Sequence, residues 1–289
     1  MRQLPLTLFY SSAYVVEGKT ETVTKARLVA EMIEKGEAGE VRLVAPRLAT
    51  RQELELIHAP EYVRSTFEDT NSFLEVGPWS RPLLQSILAS TGGMRDAVKE
   101  ALKNGRSGSL SSGLHHARRN AGNGFCQFNG LALAALEALK KVKKVGILDL
   151  DAHAGGGTFD ILGDDKRVWL ADVTVNGFDS WEPTDPRRHF YVDMGRPEAY
   201  LDEVERALRH LEPVEFLIYN AGMDTYEKAG GMKGITKEVI LKRERRVVEW
   251  ARARKIPHIF ALAGGYKWGG LTLEQVAELH LETVKAFAA

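Results

Sequence analysis

The chain has 289 residues, long enough for one large α/β domain, and its 39 lysines and arginines balance 39 aspartates and glutamates. Zero net charge removes the bulk electrostatic case for nucleic acid or an anionic membrane as partner, and a single cysteine excludes an intrachain disulfide and suits a reducing compartment. No stretch approaches the length of a transmembrane helix and residues 1–5 hold no signal-peptide core, so no membrane insertion and a cytoplasmic location are expected.

Residues 6–10 read as a short strand. Residues 22–35 place Ala26, Leu28, Val29, Met32 and Ile33 at helical spacing and stop at Gly36. A second strand follows at 41–45, then two short helices over 51–68 broken at Pro60. Residues 81–103 form a helix that contains Gly92 and Gly93 and stops at Asn104 and Gly105. A Gly/Ser-rich segment, 105–113, leads into His115 and His116, and Asn129 opens an apolar helix over 131–139. Strands follow at 144–150 and 167–173, with a further extended candidate at 189–194. The helix over 198–211 is amphipathic. A strand at 214–219 ends at residues 220–224, and the charge run over 237–254 reads as a helix with a solvated face. The strand at 256–263 ends at Gly264, Gly265 and Tyr266, and a helix over 273–288 closes the chain. Strands alternating with helices predict a three-layer α/β sandwich with a mostly parallel sheet. No Pro/Gly/Ser linker, repeat or low-complexity tract divides it, so one domain over 1–289 is expected.

In open α/β sheets, ligands bind beyond the carboxyl ends of the strands. Four such ends carry chemistry here: residues 111–116, 149–157, 220–224 and 263–266. Asp151 and His153 stand two apart, so in an extended strand their side chains point to one side. With Asp224 they form a three-ligand set with open positions, the pattern of a catalytic metal. The bland alternatives are a buried hydrogen-bonded pair for Asp151 and His153 and a helix N-cap before Thr225 for Asp224. One histidine of the pair His115 and His116 could bond Asp149 and so be oriented as a general base. Tyr266 could aim its hydroxyl at an oxyanion or simply rim the core. Phe125 alone is more often core than site wall, and Cys126 reads as a small buried residue.

These segments resemble the zinc-dependent histone deacetylase family, on the arginase/deacetylase fold. The matching residues are Gly-Leu-His-His-Ala at 113–117, Gly-Phe-Cys at 124–126, Asp-Leu-Asp-Ala-His at 149–153, Asn-Ala-Gly-Met-Asp at 220–224 and Gly-Gly-Tyr at 264–266. Their order and spacing match over nearly the whole chain, and residues 149–153, 164–168 and 219–222 look most like the class IV branch. The resemblance implies hydrolysis of the amide of an N-acyl-lysine protein or peptide by a metal-activated water. Asp151, His153 and Asp224 would hold Zn2+, although Fe2+ or another divalent metal suits the same ligands. His115 would pair with Asp149, His116 would act as general acid/base, and Tyr266 would donate to the carbonyl oxygen. Gly124 and Phe125 would line the acyl-lysine tunnel. A structural K+ would be held by Asp149 and the backbone carbonyls of Asp151 and His153, with Asp172 and Val173 near its remaining ligands.

The sequence also departs from the family. Most deacetylases carry an Asp at the position of Gly156, so His116 is expected to lack its orienting carboxylate and to be a weaker base. The loop over 224–231 is shorter than in relatives, which suggests a wider pocket and acyl groups longer than acetyl. Gly155 stands where two-manganese ureohydrolases of the same fold place a bridging carboxylate, so a single metal is expected. Two further alternatives stay open. One is a small-molecule deacylase such as an acetylpolyamine amidohydrolase, and the other is a silent module that binds acyl-lysine without cleaving it.

Overall fold

Helices and strands alternate along the chain as its hydrophobic pattern requires. The computed structural model describes residues 4–16 and 21–289, without the side chains of residues 21–23; the expectation for the extreme N-terminus therefore lies partly outside the described residues. The elements are β1 (Leu6–Phe9), α1 (Glu21–Glu34), β2 (Val41–Val44), α2 (Arg51–Leu54), α3 (Pro60–Glu68), β3 (Phe73–Leu74), β4 (Gly77–Pro78), α4 (Arg81–Asn104) and β5 (Arg106–Ser109). They continue with α5 (Gly130–Ala138), β6 (Val145–Asp149), α6 (Gly156–Leu162), β7 (Val168–Thr174), β8 (His189–Asp193), α7 (Tyr200–His210), β9 (Phe216–Ala221), α8 (Lys237–Ala253), β10 (His258–Leu262) and α9 (Leu273–Ala288).

Eight strands form one sheet in the order β2, β1, β5, β10, β9, β6, β7, β8, and every neighbouring pair is parallel. β3 and β4 pair in a small antiparallel hairpin. Side chains alternate between two apolar layers, as strand geometry dictates. On β9, Phe216 and Ile218 pack into the layer that α4, α5 and α6 cover, while Leu217 and Tyr219 face α1, α7, α8 and α9. The result is the expected three-layer sandwich.

Local signals end the helices where the sequence places them. Ser80 caps α4 and Gly105, at φ 87°, stops it. The Asn129 side chain accepts from the Ala132 N–H at 2.8 Å and opens α5. Three elements differ from the sequence reading. The Gly/Ser-rich segment contains β5, a central strand whose small residues admit the Phe260 ring against Gly108. The glycine run at 155–157 opens α6 rather than continuing as loop. A third difference concerns α8, whose charges are not all solvated: Arg243 and Glu244 are fully buried.

Register places the site. Asp149, the last residue of β6, lies level with Asn220 on β9 and with Asp172 on β7. The loops that follow these strands therefore open at one edge of the sheet, the edge where ligands bind in such folds.

Candidate active site

Three ligand atoms, one each from Asp151, His153 and Asp224, lie within 4.8 Å of one another. Nδ1 of His153 stands 3.2 Å from Asp151 Oδ1 and 3.3 Å from Asp224 Oδ2. The outward carboxylate oxygens are taken by backbone donors: the Gly264 N–H reaches Asp151 Oδ2 at 2.7 Å, and the Ala152 N–H reaches Asp224 Oδ1 at 3.0 Å. The inward oxygen, Asp224 Oδ2, is buried and faces the His153 imidazole at 3.3 Å, with no well-aligned hydrogen bond among the described residues. An orphaned buried carboxylate oxygen is costly unless a cation meets it, so the residues fit a divalent metal. β6 ends at Asp149, so Asp151 and His153 converge from an irregular segment and not from the extended strand. No helix begins after Asp224, which removes the N-cap alternative.

The charges of the cluster act on one another. Burial and the neighbouring Asp151 push Asp224 up to about 6. Burial opposes a charge on His153, but the adjoining carboxylates of Asp151 and Asp224 outweigh that and hold it at about 10. Asp151 is held well below the usual carboxylate range: burial works against this, and His115 and His153 prevail.

The two adjacent histidines stand beside this cluster, each on its own carboxylate. Nδ1 of His115 lies 2.8 Å from Asp149 Oδ2, as expected, and the Asn220 amide donates to Asp149 Oδ1 at 2.8 Å. Burial disfavours charge on His115, but Asp149 and Asp151 override it and raise it to about 10. The expectation that His116 lacks a carboxylate partner is overturned, while its expected weakness as a base is not. Its Nδ1 lies 2.8 Å from Oδ2 of Asp179, a residue on the loop after β7. The carboxylate absent at Gly156 is thus supplied from elsewhere. Burial, reinforced by the charge on His115, still lowers His116 to about 4.

A cavity of about 40 Å3 opens onto His115, His116 and Asp151, and Gly124, Phe125 and Tyr266 line it as expected, together with Val76 of the β3–β4 hairpin. No residue of the shortened loop over 224–231 lines this cavity. Gly124 and Phe125 take left-handed φ values of 53° and 67°, and Phe125 is 47% exposed, a wall of the site and not core. Phe178 was not foreseen. Its ring meets the His116 ring edge-on at 5.0 Å and the His153 ring at 5.9 Å. The Tyr266 ring stacks on the exposed Trp268 at 4.2 Å.

Behind the ligands lie two further groups. Asp172 takes the N–H of Gly155 at 2.8 Å and the indole N–H of Trp181 at 2.7 Å. Burial and the facing Asp149 push it up to about 7. Arg243, also unforeseen, donates to Thr225 Oγ1 at 2.9 Å and to the Leu150 carbonyl at 3.3 Å, so one buried guanidinium ties together the two ligand-bearing loops.

Comparison with known proteins supports what the geometry suggests. A family model described as the histone deacetylase domain matches residues 19–284. The chain is 30% identical over 253 residues to an uncharacterized protein of Picosynechococcus sp., covering 81% of this chain and 82% of the relative. It is 27% identical over 292 residues to histone deacetylase 2 of Arabidopsis thaliana, covering 90% and 74%. The crystal structure of the HDA15 HD domain superposes with a TM-score of 0.80 over 99% of this chain and 90% of that one, at 19% identity, which establishes a common fold.

Proposed function

Since this chain belongs to the histone deacetylase domain family, we propose that it acts as one catalytic domain that hydrolyses the amide of acetyl-lysine in a peptide or protein, using a single divalent metal, Zn2+ by preference. One observation carries this reading: Asp151, one member of the three-ligand cluster, lines the same cavity as the oriented His116 imidazole and Tyr266. A metal held by Asp151, His153 and Asp224 would supply Lewis acidity toward the substrate carbonyl and toward a water.

The protein's own groups perform the rest. Asp179 accepts only, so Nδ1 of His116 carries the hydrogen and Nε2 keeps its lone pair to take a proton and return it to the leaving amine. His115, charged and fixed by Asp149, holds a positive charge behind it. The Tyr266 hydroxyl donates to the oxyanion. Phe125 and Phe178 flank the lysine stem and keep water away from it. Asp149 and Asp172 form a buried carboxylate pair whose repulsion a K+, held also by the carbonyls of Asp151 and His153 and by Val173, would relieve.

The small cavity favours acetyl over longer acyl chains. The test is release of carboxylic acid from acetyl- and octanoyl-lysine peptides and from acetylspermidine, with and without chelator. The acetyl peptide should turn over fastest and chelation should stop it. Preference for the octanoyl peptide or the polyamine, or no turnover by metal-loaded protein, overturns the reading.

A further inference from the structure

We propose that Asp179 is the positioning residue of His116 and that Gly156 is the steric condition of that arrangement: the carboxylate that orients the base has moved from the loop after β6 to the loop after β7. The inference rests on the hydrolase reading of the site and specifies what sets its proton-transfer group.

Four observations carry it. Asp179 Oδ2 lies 2.8 Å from His116 Nδ1, and the Asp179 side chain is only 1% exposed. That carboxylate is fixed from two other directions. The Gly157 N–H reaches Oδ2 at 3.2 Å, and the Arg118 guanidinium donates to Oδ1. The backbone of Asp179 sits at φ 57°, in the left-handed region that a residue with a side chain enters at a cost, Asp among the more tolerant. Strain of this kind persists where surrounding contacts over-determine the residue, as the three donors do here.

Position 156 completes the case. A Cβ there would lie 2.3 Å from the Asp179 carbonyl oxygen, 2.6 Å from its Oδ1 and 2.7 Å from its Cγ. Any side chain at 156, an aspartate included, excludes Asp179 from its present place. The two positions therefore answer each other: one carboxylate can serve His116, from 156 or from 179. The segment that delivers Asp179 is itself anchored to the metal-ligand loop. The Asn176 N–H donates to the Ala152 carbonyl at 2.8 Å, and the Ala154 N–H to the Phe178 carbonyl at 3.1 Å. Phe178, one residue before Asp179, packs on His116 and His153. A single short segment thus positions both the ring that packs on His116 and His153 and the carboxylate that orients the base.

The experiment uses the full chain loaded with Zn2+ and two kinds of readout. In steady-state kinetics on an acetyl-lysine peptide, Asp179→Asn should lower kcat by about 10- to 100-fold with KM and metal content unchanged, the range found when an orienting partner is lost. The double variant Gly156→Asp with Asp179→Gly should recover activity relative to Asp179→Gly alone. Independently, 15N NMR of labelled histidine should show His116 as the Nδ1–H tautomer in the wild type and a mixture in Asp179→Ala. Unchanged kcat in Asp179→Asn, or an unchanged His116 tautomer in Asp179→Ala, overturns the proposal. If wild-type protein cleaves no acyl-lysine peptide, the hydrolase reading fails and the tautomer measurement still decides the role of Asp179.

Discussion

Replacing Gly264 by alanine adds one carbon, and the structure fixes where that carbon goes. The φ of Gly264 lies outside the left-handed region, so the backbone accepts alanine and only the new contacts matter. The Cβ would lie 1.9 Å from Asp224 Oδ2, 2.3 Å from its Cγ and 2.7 Å from Asp151 Oδ2. An ordinary carbon–oxygen contact is about 3.3 Å, so Asp224 Oδ2 must retreat by about 1.4 Å. It cannot swing freely, because Asp224 is fully buried and its other oxygen is held by the Ala152 N–H. Metal–ligand distances tolerate only about 0.2 Å, so the Asp224 ligand oxygen leaves range, while Asp151 is pressed through its outward oxygen. Metal affinity should fall by at least about 100-fold, the upper end for a disturbed metal environment. Stability of the metal-free protein should fall by only about 1–3 kcal/mol, the usual cost of overpacking. Competition against a chromophoric chelator measures the first and thermal melts the second. Gly195→Ala is the control, since nothing lies within 4 Å of its added carbon. Stoichiometric metal binding by Gly264→Ala with wild-type affinity would refute the geometry of the site.

Two further outcomes follow from the charges and donors of the site. With His153 near 10 in the metal-free protein, binding below that pH must expel a proton, so affinity should rise by about tenfold per pH unit across the neutral range. Calorimetry in buffers of different ionisation enthalpy reads the released proton; a pH-independent affinity contradicts the assignment of His153. Tyr266→Phe should lower kcat by about 10²–10³ while metal content stays that of the wild type, and a variant with full kcat removes Tyr266 from the reaction.

Much of this site was legible in the sequence because its residues cluster where buried strands end. An apolar run that breaks into Asp-Leu-Asp-Ala-His or Gly-Gly-Tyr marks both the strand and its functional edge, so Asp149, Asp151, His153, Asp224 and Tyr266 could be named from pattern alone. What escaped notice was held together by long-range contacts without local signature. Arg-Ser-Gly-Ser at 106–109 shows none of the branched or aromatic residues of a strand, because its packing partner is the Phe260 ring from β10. Arg243 and Glu244 sit in a run of charges, and only the tertiary structure reveals that this pair turns inward. Asp179 lies 63 residues from His116 in a polar loop. At Gly156 the sequence shows a missing carboxylate and not the Asp179 side chain that fills the space.

The central claim is that one metal, bound by Asp151, His153 and Asp224, makes this protein an amide hydrolase. Titration of metal-free protein with Zn2+, followed by acetate release from an acetyl-lysine peptide, tests it most directly. Activity should rise linearly and saturate at one equivalent per chain, and should stay absent in Asp224→Ala. Saturation only at two equivalents, or acetate release that ignores the metal, would contradict the account.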